Sequence, residues 1–321
     1  MKFCASIISA AIGLSVGGCA IRPLPEDYTG VPTYQIARQV RCETRDAVFQ
    51  SFIGFLLYDP KVDDRSRAVG KLYNETSVPI STFEPGLLSG FARSFVEFFW
   101  NTGVAYNFSL DMTETNNLGA TVNVLSSLPS SKRSFGFSAD FDRQRRNTRT
   151  FTLTDRFSNL LKIDQRYCKG MLAEENFAYP ITGKIGVEPL VQDFVKLALF
   201  ANLSPDRKTP NTAPTIVDEL EFQTALGTSL TPKLTFTPRL GNLHIADAGL
   251  TAELTRKDVH KLTMGLSLAS VNQINKFAAQ RGTLFGSLLT AAGGGPEQAA
   301  AEAVNQALTR DLFRQTVILP R

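Results

Sequence analysis

Few residues in this chain could carry out bond chemistry. Its two histidines, His244 and His260, must serve any Ser-His-Asp triad or histidine-rich metal site. His244 follows Gly241-Asn242 and His260 follows Arg256-Lys257-Asp258, so both read as surface turn residues. Ser267, in Gly265-Leu266-Ser267-Leu268-Ala269, is a loose match to a nucleophile elbow. It lies in an alternating stretch, whereas an elbow needs a sharp strand-to-helix turn, so Ser267 reads as a polar-face strand residue. Acidic pairs occur at Asp63-Asp64, at Glu174-Glu175, and at Asp218 with Glu219 and Glu221. A glycosidase holds two carboxylates about 5–10 Å apart across a cleft. Sequence does not show that separation, and solvated side chains are the plain reading. No Cys-x-x-Cys, His-Glu-x-x-His, calcium-loop or phosphate-loop pattern occurs. The expectation is no catalytic residue, no metal site and no cofactor. The sharpest charged feature is Arg143, Arg145, Arg146 and Arg149, with Lys132 and Arg133 at the turn before them. Planar guanidinium groups suit phosphate, although a hairpin tip must also be polar simply to stay in water.

A second feature concerns location. Val16-Gly17-Gly18-Cys19 follows a Lys2-led start and a short apolar run, Ile7–Val16. The run is too short for a permanent bilayer helix of about 20 residues. A charged start, short apolar core and small residues before a cut have the shape of an export signal. This stretch resembles a bacterial lipoprotein signal with its lipobox. An ordinary secretory signal with a chance cysteine is the alternative. The resemblance implies that residues 1–18 are removed and that Cys19 becomes an N-terminus carrying diacylglycerol and an amide-linked acyl chain. At about 0.8 kcal/mol per buried methylene, two or three chains anchor durably. Ala20, where a retained protein would have aspartate, implies release to the outer membrane, on its periplasmic face. A Gly-x-Ser-x-Gly pattern at Gly13–Gly17 lies inside the removed signal, so its Ser15 carries no weight. In this setting the membrane is a partner through the lipid on Cys19. The four arginines would meet anionic lipid, lipopolysaccharide or another envelope protein.

Removing residues 1–18 deletes one charge, Lys2, from a formal net charge of +4. That balance gives no argument for nucleic acid. Charged residues at 20% and hydrophobic ones at 43% are ordinary for a globular protein. Of four cysteines, Cys4 leaves with the signal and Cys19 takes the lipid. Cys42 and Cys168 remain in an oxidising compartment, where a disulfide between them is expected. Two separate buried thiols are the alternative.

The elements that would position these residues follow from periodicity. Residues 19–33 read as a tether, because Pro23, Pro25, Gly30 and Pro32 oppose a regular helix. A helix over 34–57 puts Cys42, Phe49, Ile53 and Leu56 on one stripe. Residues 59–95 have no clean period and read as loops. Alternation then predicts strands around 104–113, 118–124, 135–141 and 149–153, turning at Asn116-Asn117. A helix over 187–202 follows. Four more strands are expected around 220–226, 234–236, 248–254 and 262–268, with a polar turn at Arg256-Lys257-Asp258. Pro232 and Pro238 argue that the strand between them lies at an edge. Pro296 opens a last helix with Ala300, Val304, Leu308 and Leu312 on one face.

The expected class is α+β and mostly antiparallel. About eight strands form a meander, as a sandwich or barrel-like sheet, with amphipathic helices packed on it. Residues 34–321 would be one globular envelope region with an N-terminal helix, two four-strand blocks and a C-terminal helix. No domain family is recognisable in it. The leading expectation is a lipid-anchored, non-catalytic envelope protein acting by binding or assembly. The alternatives are a membrane β-barrel or subunit of an oligomeric outer-membrane pore, and a periplasmic hydrolase with an unrecognised site.

Overall fold

The structure is a computed structural model. It describes residues 22–75, 78–128, 131–169, 176, 179–201, 203, 214–235, 244–268 and 296–317. Prolines shape its start. One helical turn, α1 (Glu26–Thr29), precedes Pro32, whose extended backbone caps α2 (Thr33–Tyr58). Residues 59–95 are more ordered than their lack of period suggests. They hold α3 (Asp64–Glu75), two 3-10 turns at Ile80–Thr82 and Pro85–Leu87, and the start of α4 (Gly90–Trp100). Asp63 organises this stretch: its carboxylate accepts from the Ser66 amide at 3.0 Å and from the Ser66 and Ser89 hydroxyls at 2.8 and 2.7 Å. The bond from Ser89, with that from the Ser66 amide, holds the Asp63 carboxyl down at about 2.

Two very long strands follow, β1 (Gly103–Leu128) and β2 (Ser131–Arg156). Then come α5 (Phe157–Leu161), α6 (Gln165–Cys168), a 3-10 turn at Pro180–Thr182 and α7 (Val187–Phe200). Glu43 of α2 caps α7 by accepting from the amides of Ile185, Gly186 and Val187. The second strand group is β3 (Thr215–Leu230), β4 (Lys233–Thr235) and β5 (His244–Ser267), and α8 (Pro296–Val317) closes the order. The sheet has five strands in the order β2-β1-β5-β3, with β4 paired antiparallel to β5.

Among the described residues the expected eight strands are five, and these do not form a closed barrel. Two expected strands merge in each of β1, β2 and β5. The supposed turns at Asn116-Asn117, at Arg143–Arg149 and at Arg256-Lys257-Asp258 are strand interiors. Arg145 and Arg146 of β2 pair across to Glu114 and Asp111 of β1, and Arg256 pairs with Asp258 along β5, so these polar runs do not end the strands.

Two compact units share these strands. One is Thr29–Leu110, Arg149–Phe222 and His260–Arg321; the other is Met1–Tyr28, Asp111–Thr148 and Gln223–Val259. The first, the helix unit, has an aromatic core. Phe52 packs against Phe83, Phe95 and Phe157, and Phe194 meets both Phe99 and Phe157. Val104, Tyr106, Phe108 and Leu110 of β1, with Leu262, Met264 and Leu266 of β5, are fully buried. On the other sheet face, Ala300 and Val304 of α8 pack on Ala105. Gly265 permits this approach, since a Cβ there would meet Val304 Cγ2 at 2.8 Å and the Ala300 carbonyl at 2.9 Å. Cys42 of α2 and Cys168 of α6 form a disulfide, with Cα atoms 5.7 Å apart. Nearby, Arg41 makes a two-pronged pair with Asp155 of β2, at 2.7 and 2.8 Å.

Candidate functional site

The second unit, the sheet unit, differs in one respect: its apolar side chains are exposed. Period-two geometry sorts its strands into two faces. The register follows from close neighbours. Gly119 lies beside Asp140 and Thr251, Gly136 beside Asn123, Gly249 beside Thr121, and Gly227 beside Thr255. Along β1 with β2, and along β1 with β5, one index rises as the other falls, so both pairs are antiparallel. The same register sets Phe141, Phe137 and Phe135 of β2 beside Leu118, Val122 and Val124 of β1.

One face thus carries Leu118, Phe135, Phe137, Phe141, Leu250 and Leu254. Phe137 is 64% exposed and Leu254 52%. Leu226, Leu230 and Leu234 belong to the same face, the latter two 66% and 64% exposed. The opposite face carries Thr121, Asn123, Ser138, Asp140, Asp247 and Thr251, with Asn123 donating to Asp247 at 2.7 Å. This polar side is concave. A hollow of about 610 Å³ opens on it, its lining including Thr121, Asn123, Ser138, Lys233, Asp247 and Thr251 together with Phe137 and Leu250.

Charged residues border the apolar band on the same face, namely Arg143, Arg145, Glu114, Arg256 and Asp258, and the register sets Leu226 beside Arg256. Arg145 pairs with Glu114 at 2.7 Å, and Arg256 with Asp258 at 3.0 Å. Arg143 lies over the Phe141 ring, 4.6 Å from its centroid, where belt and band meet. From belt to tip the strand segments are 118–128, 131–141 and 244–254, each of eleven residues, with 226–230 of β3 and 233–235 of β4 in line on the fourth position. Within them, every charged residue with a described side chain lies on the polar face: Asp140, Lys233, Asp247 and Glu253.

The residues just after Cys19 are pinned to this belt. Asn147 donates to the Pro23 carbonyl at 2.8 Å, and Arg256 to the Leu24 carbonyl at 2.7 Å. Pro23 and Pro25 are buried there. Cys19 precedes Pro23 by four residues, an extended reach of at most about 14 Å.

The four arginines singled out by sequence are not one cluster. They lie inside β2, not at a tip, and alternate between faces. Arg143 and Arg145 border the apolar band. Arg146 is on the polar face, ion-paired with Asp111. Arg149 belongs to the helix unit and donates to Thr33. His260 is buried, not in a surface turn, because the supposed turn before it is strand; its ring meets the Tyr179 hydroxyl. Ser267 and His260 project from opposite faces of β5 and cannot form a nucleophile pair. Glu219 and Glu221 share Lys261 at 3.2 Å each, as a structural ion-pair group. Glu174, Glu175 and the His244 side chain lie outside the described residues. Sequence reasoning did not single out Arg256, Asp258 and Asn147; the mispredicted turns hid them.

The chain is thus an α+β protein whose antiparallel strands carry an uncovered, two-faced sheet segment. A family described as uncharacterised protein y4kA matches residues 22–301. The uncharacterised protein y4kA of Sinorhizobium fredii (strain NBRC 101917 / NGR234) is 31% identical over 271 residues, covering 81% of each chain. The chain belongs to the y4kA family. This corrects the expectation that its mature region has no recognisable family: the match spans most of that region, which carries no short chemical motif to announce it.

Proposed function

We propose that this is a lipid-anchored outer-membrane protein whose sheet unit inserts into the bilayer as part of a pore wall. The observation that supports it best is the uncharged apolar band bordered by an arginine-bearing belt. At about 3.3 Å per residue, Leu118–Val124 runs roughly 20 Å along the strand, the scale of the apolar band of about 25 Å on outer-membrane barrels. The three eleven-residue strand segments match the transmembrane strand length of about 9–11. Polar residues on the concave face suit water, and apolar ones on the convex face suit lipid. A soluble sheet would need a cover for Phe135, Phe137 and Phe141, and large exposed apolar patches mark contact surfaces.

The N-terminal tether favours the same reading. Diacylglycerol on Cys19 would sit within reach of the belt, at the edge of the band. Arg143 and Arg145 then meet headgroup phosphates, which planar guanidinium groups grip well. The helix unit lies in the periplasm, where the Cys42–Cys168 disulfide is stable.

The test replaces residues 1–19 with a secretory signal cleaved before Ala20, so that no lipid is attached. Envelopes are then washed with alkaline carbonate. The unlipidated protein is expected to stay in the outer-membrane pellet through its strands. Complete release into the wash would show that the lipid alone holds it and would overturn insertion.

A further inference from the structure

This inference rests on the membrane reading above. Among the described residues, the sheet unit has two open edges: β2 on one side, and the line of β3 and β4 on the other. Four strand positions cannot close, since single-chain outer-membrane barrels begin at about eight strands. In lipid no water satisfies an unpaired edge amide or carbonyl, so an open edge does not persist there. Each edge needs a strand beside it.

We propose that the strand is supplied by a second copy of this chain: β2 of one copy pairs antiparallel with β3 and β4 of the next, head to tail around a closed ring. The choice follows from three features of the sheet unit, namely strand direction, apolar face and anchor level. Turning a neighbour about an axis normal to the sheet pairs β2 with β2, but carries its Cys19 to the opposite leaflet. Turning it about an axis along the strands also pairs β2 with β2, but points its Phe135, Phe137 and Phe141 to the polar side. Rotation about a ring axis on the concave side keeps both the face and the level. That operation brings β2 against β3.

Direction agrees as well. Each neighbour in β2-β1-β5-β3 is antiparallel, so the two outer strands run in opposite senses and their junction is antiparallel. An even number of strands per copy lets every copy enter in the same orientation. Face chemistry continues across the junction, from the Phe135, Phe137 and Phe141 edge to the Leu226, Leu230 and Leu234 edge. The concave polar hollow gives the curvature that closure needs and leaves the polar face lining a lumen. A heterologous contact that closes makes a ring, and one that does not makes a filament; anchoring in one leaflet and curvature toward the polar face select the ring.

Polar-face cysteines test this pairing. Ser134→Cys, Ser138→Cys, Asp140→Cys and Asp142→Cys on β2 are each combined with Ala225→Cys or Ser229→Cys on β3. Native thiols do not interfere, since Cys42 and Cys168 are joined and the anchor occupies Cys19. The variants, otherwise full chain, are oxidised in isolated outer membranes, where a bridge forms only if Cα atoms come within about 4.4–6.8 Å. At least one pair is expected to give a ladder of multimers on a non-reducing gel, while every single variant stays monomeric. A dimer from a β2 single variant would mean β2–β2 pairing and overturn the proposal. No multimer from any pair, with the protein still carbonate-resistant, would overturn pairing between copies and leave insertion standing. Loss of carbonate resistance in the unlipidated wild type would instead remove the membrane reading beneath it.

Discussion

Arg256 shows what a single residue contributes. Its guanidinium joins Asp258, on the same strand face, to the Leu24 carbonyl of the tether. The Arg256 and Asp258 side chains are only 11% and 2% exposed, so screening by water is weak. Removing one partner strands the other charge in a poorly solvated place, at a cost of about 3–5 kcal/mol. Arg256→Ala is therefore expected to lower stability by about that much in denaturant titration. Adding Asp258→Ala should return most of the loss. Equal loss in the single and double variants would show that packing, not charge, is at stake. Sequence made these residues visible only as a polar run, Arg256-Lys257-Asp258, and a polar run usually marks a turn. Nothing local distinguishes a turn from a strand whose Arg256 is satisfied by Asp258 on its own face and by a tether more than 200 positions away. The same ambiguity gathered Arg143, Arg145, Arg146 and Arg149 into one cluster, although alternate positions in a strand face opposite ways.

Long elements with a clean period were legible. Helices expected over 34–57 and 187–202 are α2 and α7, and the last helix opens at Pro296 as read. Cys42 lies on the buried side of α2 and reaches Cys168. The helices α3 and α4 escaped notice because Pro79, Pro85 and Gly86 between them broke the pattern. Their order comes partly from hydrogen bonds of Ser89, whose amide donates to the Ser66 hydroxyl and whose hydroxyl donates to Asp63, across 23 and 26 residues. The five strands were split into eight because each long strand passes through an apolar core, a polar belt and a second apolar band. At the element level, α8 supplies a direct test. Gly265→Val would place methyl groups where Ala300 and Val304 already sit. Overpacking of this kind costs about 1–3 kcal/mol. Amide hydrogen exchange over residues 296–309 should accelerate, while exchange in α2 and α7 stays slow. Unchanged protection of α8 would mean that Gly265 is not the contact point.

On the scale of the whole molecule, one strand pattern meets two different environments. Phe108 of β1 is fully buried in the helix unit, stacked on Phe151 with ring centroids 4.7 Å apart. Phe137 of β2 continues the same alternation in the sheet unit and is exposed. Sequence fixes which side of a strand is apolar but not what covers it, because a protein core and a lipid tail impose the same period. This is why fold class was readable from the chain while soluble sheet and membrane strand stayed open. The family relationship extends the fold beyond this chain, since 81% of the Sinorhizobium fredii relative is aligned.

The central claim is that one face of the sheet unit meets lipid and the other meets water. Single cysteines at each position from Phe135 to Asp142, labelled with a small fluorophore and reconstituted in vesicles with brominated acyl chains, test it most directly. Bromine quenches only fluorophores that touch the hydrocarbon, so protection by a protein partner would not imitate the effect. The account expects strong quenching at positions 135, 137, 139 and 141, and little at 134, 136, 138, 140 and 142 when Ser134 is added as a control. Absence of quenching at every position, in protein that retains its Cys42–Cys168 disulfide and its helices, would contradict it.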